Sequence, residues 1–276
     1  MKVTCNLCIH HCTLEEGETG YCRARTCRDG KIVSLNYGRV TTLRLRPTKS
    51  LPFLRFEPDS KIVTTGSFGC NMHCPYCWNY ETSMAGIDEA EGIFLSPQMM
   101  AQRASQLKPA GSIGVAFTYN EPLVGCEFVR DCALELHSLG MKCVLVTNGL
   151  IEEGPWRELL PLIDAVNIDL KCFSEGWYRE MRGDLGTVKR SIEIAAGLCP
   201  HLEVTTLIVP HRNDSFQEIG DLCRWLASID RDIPLHLSRF VTDFEMMGHR
   251  STSRDWIQRL TRHARTILTY VCGENC

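Results

Sequence analysis

The sequence predicts an α/β fold: a partial (β/α)6 barrel of the TIM type, preceded by a small Cys-rich N-terminal segment that binds metal. Three observations carry this reading. From Lys61 onward, short β-branched runs alternate with helical patterns, as parallel strands covered by helices do. Six such strands are present, fewer than a closed barrel of this type requires. Residues 1–46 stand apart, with five of the 16 cysteines and little apolar periodicity.

The chain divides into the segment 1–46, a linker 47–60 and the barrel 61–276. In the first, Cys5, Cys8, Cys12 and Cys22 follow the spacing CxxC-x3-C-x9-C, with Cys27 beyond. Gly17, Gly20 and Gly30 make the segment turn-rich. So short a piece buries little core, and a metal is its natural staple. Four thiolates suit zinc or a second iron–sulfur cluster, with His10 and His11 as substitutes; free thiols in a reducing cell are the remaining alternative. Arg39 to Phe56 is basic and holds Pro47 and Pro52. It suits an anionic partner or, more commonly, a solvated edge hairpin.

In the barrel, the stretch KIVTTGSF from Lys61 reads as a buried strand. Ser96 caps a helix over Pro97 to Leu107, with proline in the favoured first position. Strands follow at Ile113–Thr118, Lys142–Thr147, Ala165–Leu170, Leu202–Val209 and Pro234–Phe240. Helices are expected at Glu127–Leu139, Pro155–Leu162, Thr187–Gly197, Ser215–Leu226 and Arg254–Leu268, before the tail TYVCGENC.

The loop after the first strand reads GCNMHCPYCWN, placing Cys70, Cys74 and Cys77 in a Cys-x3-Cys-x2-Cys spacing with Tyr76 before the last. Three soft thiolates from one loop can hold three corners of an iron–sulfur cube and leave the fourth iron open to a ligand. A structural metal site would want four ligands. The alternatives are a zinc loop or chance crowding in a Cys-rich chain. Sites in parallel βα folds lie at the carboxyl ends of the strands. Those ends here read TYNEP (118–122), TNG (147–149), DLK (169–171), VPHRND (209–214) and LHLSRF (235–240). Each alone could be ordinary turn chemistry, but together with the cysteines they make one polar rim.

The cysteine spacing resembles the signature of the radical S-adenosylmethionine (SAM) enzymes. Over nearly the whole chain the motifs CxLCxxxC…GxxGxC, GCNxxCxxC, FTYNEP, VTNG, NIDLK, EVTTLIVP-x-x-ND and PLHxSRF resemble the pyruvate formate-lyase activating enzyme group, and within it the AmmeMemoRadiSam branch. The resemblance implies a [4Fe-4S] cluster on Cys70, Cys74 and Cys77, with SAM chelating its open iron. It implies reductive cleavage of SAM to a 5′-deoxyadenosyl radical that abstracts hydrogen from a substrate. Asn120 and Glu121 stand where the family's Gly-Gly-Glu-Pro motif meets the SAM amino group, and Asp169 and Lys171 match its Asp-Leu-Lys. Tyr76 would shield the adenine side, and Asn148 and Arg239 complete the expected cofactor contacts. Activating enzymes favour Asp where this chain has Val146, and the nearer branch favours Gln at Trp78 and His at Val241. The segment from Pro47 to Pro52 also departs from that branch, and the tail adds Cys272 and Cys276.

The expected function is hydrogen abstraction from a protein or peptide residue. The alternatives are the same chemistry on a small-molecule or natural-product precursor, or an iron–sulfur electron carrier without SAM chemistry. The polar rim disfavours the carrier, which needs none. A flavodoxin or ferredoxin-type electron donor is the expected partner. A net charge of −3 argues against wholesale nucleic-acid binding. No run resembles a membrane span, and MKVTCNLC turns polar too soon for a signal peptide. Sixteen cysteines without an export signal point to a reducing cytoplasm.

Overall fold

The structure is a computed structural model and describes residues 2–273. Its centre is an eight-stranded sheet whose spatial order follows chain order. The strands are β1 (Thr42–Pro47), β2 (Lys61–Gly66), β3 (Ser112–Phe117), β4 (Lys142–Thr147), β5 (Ala165–Asp169), β6 (Leu202–Ile208), β7 (Leu235–Arg239) and β8 (Val271–Cys272). From β2 to β8 every pairing is parallel, while β1 lies antiparallel on β2. Strands β2 to β7 are the six read from the sequence, each within two residues of its expected ends. The sheet exceeds that expectation by two. β8 is two residues long and too short to show a pattern. β1 is the basic run, which forms an edge hairpin with β2 and tucks Leu43 and Leu45 against the core. It also crosses the segment boundary drawn at residue 46.

Six longer helices cover the sheet: α1 (Pro97–Gln106), α2 (Cys126–Ser138), α3 (Glu153–Leu159), α4 (Leu185–Leu198), α5 (Phe216–Ile229) and α6 (Arg254–Ala264). Four of their starts are chemically fixed. Ser96, Asp184, Ser215 and Ser253 each accept a backbone N–H of the first turn. α5 buries Ile219, Leu222, Cys223 and Leu226, the i, i+3, i+4, i+7 stripe that faces a core. The helix expected at Pro155–Leu162 begins earlier and ends in a tight turn over Leu160–Leu162. A further helix, Glu175–Glu180, is too short for periodicity to reveal; a Ser174 cap and the burial of Trp177 and Tyr178 fix it.

The amino-terminal end of the barrel is plugged. Phe53, from the stretch read as a linker, packs on Ile62, Ala116, Val144 and Ala165. The same stretch donates the Leu54 and Arg55 N–H groups to the Glu203 carboxylate, at 2.7 and 2.9 Å, and its Pro52 carbonyl accepts from Asn167 at 2.8 Å. The N-terminal segment is likewise anchored, by a bidentate Arg25–Glu127 pair at 2.7 and 2.9 Å to α2. Inside the sheet, β3 and β4 approach so closely that a Cβ on Gly114 would press into the Lys142 backbone. Gly114→Ala should therefore cost about 3 kcal/mol or more, since backbone cannot yield as a side chain does. Urea unfolding checks this; a loss under about 1 kcal/mol would show that the strands can part.

Candidate active site

Because β2 to β8 run parallel, the loops after them gather at one end, and there they enclose a cleft of about 540 Å³. Cys70, Cys74 and Cys77 line it from the loop after β2. Tyr76, Asn120, Glu121, Asn148, Asp169, Lys171 and Arg239 line it as well. The cleft candidates read from sequence thus converge on one cavity, while Cys5, Cys8, Cys12 and Cys22 surround a second, smaller one.

The cysteine loop is held by the rim. Asn120 accepts the Ser67 N–H at 2.9 Å and donates to the Phe68 and Gly69 carbonyls, both at 3.1 Å. Asn148 donates to the Asn71 side chain at 2.9 Å and lies 3.7 Å from the Cys70 sulfur. The Met72 N–H also points at that sulfur, at 3.4 Å. Such N–H groups favour a thiolate. Burial pushes the Cys70 thiol well up, with Glu121 adding to the effect. Burial raises Cys74 to about 11, opposed chiefly by the Lys171 ammonium. A cation at the sulfurs removes that penalty, so the donor set fits a thiolate-ligated metal cluster.

The charged groups follow the same logic. Burial opposes the charge on Lys171, but Asp169 at 2.6 Å and the nearby thiols outweigh it, so its pKa lies above the ordinary range. Glu121 is buried and accepts from Thr147 Oγ1, Asn148 N and Leu123 N at 2.6, 2.7 and 2.9 Å. Those donors are neutral, and burial lifts its pKa to about 7. An amino group in the cleft would give it a further donor. Tyr76 turns inward: its hydroxyl donates to Met181 Sδ at 3.3 Å, and its ring contacts those of Trp177 and Phe240.

The "Radical SAM superfamily" description matches residues 65–226, which contain the cysteine loop and most of this rim. The chain belongs to the radical SAM superfamily. It is a radical SAM enzyme, of a family that uses a [4Fe-4S] cluster and SAM. It is 32% identical over 246 residues to MJ0808 of Methanocaldococcus jannaschii, itself uncharacterised, covering 89% of this chain and 72% of that one. It is 26% identical over 203 residues to the pyruvate formate-lyase 1-activating enzyme of Escherichia coli, covering 70% and 78%. Two crystal structures share the fold. Streptococcus suis SuiB bound to its precursor peptide SuiA matches at a TM-score of 0.60 and 13% identity, over 76% of this chain but 47% of SuiB. A radical SAM methyltransferase from Sphaerobacter thermophilus also gives 0.60, at 18% identity, over 80% and 68%.

This radical SAM cleft also contains Thr205 and Leu207 of the EVTTLIVP motif and His236 and Ser238 of LHLSRF, stretches read as motifs without a role for these residues. Thr205 and His236 are register partners on β6 and β7, and the alternation of each strand turns every second residue to the cleft. That alternation was the available signal. Val146, where activating enzymes favour Asp, and Val241 both line the wall, which is apolar at those points. Cys272 of β8 reaches the same cleft, and Cys276 lies outside the described residues. Among the described residues no helix is long and apolar enough to cross a membrane.

Proposed function

We propose that this enzyme abstracts a hydrogen atom from a residue of a peptide or protein, with Cys70, Cys74 and Cys77 holding the [4Fe-4S] cluster. When bound, the cluster with SAM supplies the reductive cleavage that yields methionine and the 5′-deoxyadenosyl radical. The observation that carries the reading is the convergence of three cysteine sulfurs and a rim of Glu121, Asp169 and Lys171 on one cleft. Glu121 would accept from the SAM amino group and Lys171 would meet its carboxylate, while Asn120 and Asn148 keep the cysteine loop in register with both. Arg239, at the end of β7, stands across the cleft from the cysteines' strand in the sheet order.

The peptide reading rests on space and surface. A cleft of about 540 Å³ is of the size that one ligand of drug-like mass occupies. SAM and a cluster held by the cleft cysteines would fill much of that space, which would leave the reacting carbon to enter at the mouth. Trp78 lines the cleft and is 67% exposed, a large apolar side chain placed where an entering chain would lie. The related Escherichia coli enzyme activates pyruvate formate-lyase, and SuiB shows the same fold bound to a precursor peptide.

The test uses an extract of the native host grown in heavy water, split into macromolecular and small-molecule fractions. Deuterium in the released 5′-deoxyadenosine with the macromolecular fraction supports this reading. Deuterium with the small-molecule fraction alone overturns it in favour of a small precursor.

Glu121→Gln keeps the shape of the side chain but removes the charge that meets the SAM amino group. Charge-assisted bonds are worth roughly 1.5–3 kcal/mol, so SAM affinity should fall about tenfold to a hundredfold. Calorimetry at constant pH reads this directly. An unchanged affinity would confine Glu121 to capping the turn at Pro122–Gly125, where it already accepts the Leu123 N–H.

A further inference from the structure

We propose that Cys5, Cys8, Cys12 and Cys22 ligate a second iron–sulfur cluster, seated directly behind the cysteine loop of the cleft. The hairpin Val3–Thr4 with Thr13–Leu14 holds three of these residues in its loop. The Cys5 N–H donates to the Cys12 carbonyl at 2.9 Å, and the His11 N–H closes a turn on the Cys8 carbonyl at 3.1 Å. Cys22 arrives from the next turn, and all four side chains line one small cavity floored by Leu7 and Leu14. Cys8 lies within electrostatic reach of Cys5 and Cys22, and Cys22 within reach of Cys5 and Cys12. Cys5, Cys8 and Cys22 are buried and Cys12 half-buried. Arg25 also lines the cavity, but its guanidinium is already bidentate to Glu127, so a metal centre is what would neutralise four thiolates here.

Position favours a cluster over zinc: the site backs directly onto the Cys70 loop, where a redox centre has a use and a zinc ion has none. The four cysteines line their cavity as Cys70, Cys74 and Cys77 line theirs. The Tyr21 N–H points at the Cys12 sulfur at 3.4 Å, the same arrangement and distance as Met72 N–H at Cys70.

The position gives the centre a role. Cys70 is flanked by residues that both touch the N-terminal group. Gly69, at φ +86°, backs onto the Cys22 carbonyl so closely that a Cβ would collide with it. Asn71 lies with its side chain beside Cys8 and bonds Asn148, which touches the Cys70 sulfur. The Asn71 carbonyl accepts His10 Nε2 at 2.8 Å. A cluster here can take one electron from a reduced flavin or iron–sulfur protein, oxidising that donor by one electron. The electron then passes on by way of Asn71, and no bond is made or broken. The ligand assignment stands independently of the reading of the cleft, whereas the electron-carrying role rests on it.

The test removes the cleft cysteines instead of the proposed ligands. A Cys70→Ala, Cys74→Ala, Cys77→Ala variant of the full chain is reconstituted anaerobically with iron and sulfide. It should retain about four irons and, once reduced by dithionite, an electron paramagnetic resonance signal that SAM does not shift. A folded variant, by circular dichroism, that holds no iron, or one zinc in its place, overturns the proposal. Wild type holding no more iron than this variant would count against the cleft reading and leave this one standing. A folded Cys5→Ser, Cys8→Ser variant should lose about four irons relative to wild type; unchanged iron would also overturn the proposal.

Discussion

Cys74→Ala is expected to abolish the release of 5′-deoxyadenosine from SAM under dithionite. Cys74 is buried, lines the cleft and faces the Lys171 ammonium. With two thiolates in place of three, the loop cannot hold the cluster, and alanine offers nothing in exchange. The loss should be about a thousandfold or greater, equivalent to roughly 4 kcal/mol or more of barrier. The thermal midpoint of the metal-free protein should change little, because a thiol and a methyl group differ only slightly in packing. Release that survives the substitution would take the cluster away from this loop.

Glu203→Gln should produce the largest loss of stability. This carboxylate is completely buried between β6 and the barrel plug. It accepts two N–H groups from residues 54 and 55 and one from each imidazole of His201 and His236. Despite burial, which pushes the other way, those bonds draw its pKa from 4.5 down to about 2. A shift of that size corresponds to about 3 kcal/mol. An amide in its place turns donors toward donors, so roughly 3–5 kcal/mol and about 10 °C of the thermal midpoint should go. Because the folded pKa is depressed, this stabilisation is fully present above about 4.5. It is lost as the pH falls toward about 2. The variant's stability should accordingly vary less over that range than wild type's. Equal acid slopes in the two proteins would show that Glu203 is not the titrating group.

The parallel core was legible because its strands are largely apolar runs and four of its six longer helices open on Ser or Asp caps, both local signals. The cleft was legible for the same reason: in a parallel sheet the ends of consecutive strands must meet, so TYNEP, TNG and DLK identify a rim without coordinates. What escaped were features set by distant contacts. Phe53 has no local pattern marking it as a plug, and β8 exists only because β7 offers it an edge. Asn120 reads as a cofactor contact, yet its side chain is spent on the backbone of residues 67 to 69. His236 sits in a strand whose alternation was readable, but its partner Glu203 lies 33 positions away. Pairing across that separation depends on the register of β6 and β7, which no motif specifies.

The central claim is that SAM binds with its amino group on a cluster held by Cys70, Cys74 and Cys77. Electron–nuclear double resonance on the reduced wild-type enzyme with SAM labelled with 15N at its amino group tests it most directly. A 15N coupling to the cluster, weakened in Glu121→Gln and missing in Cys74→Ala, is the expected result. A fully reduced cluster that binds labelled SAM but shows no 15N coupling would contradict the account.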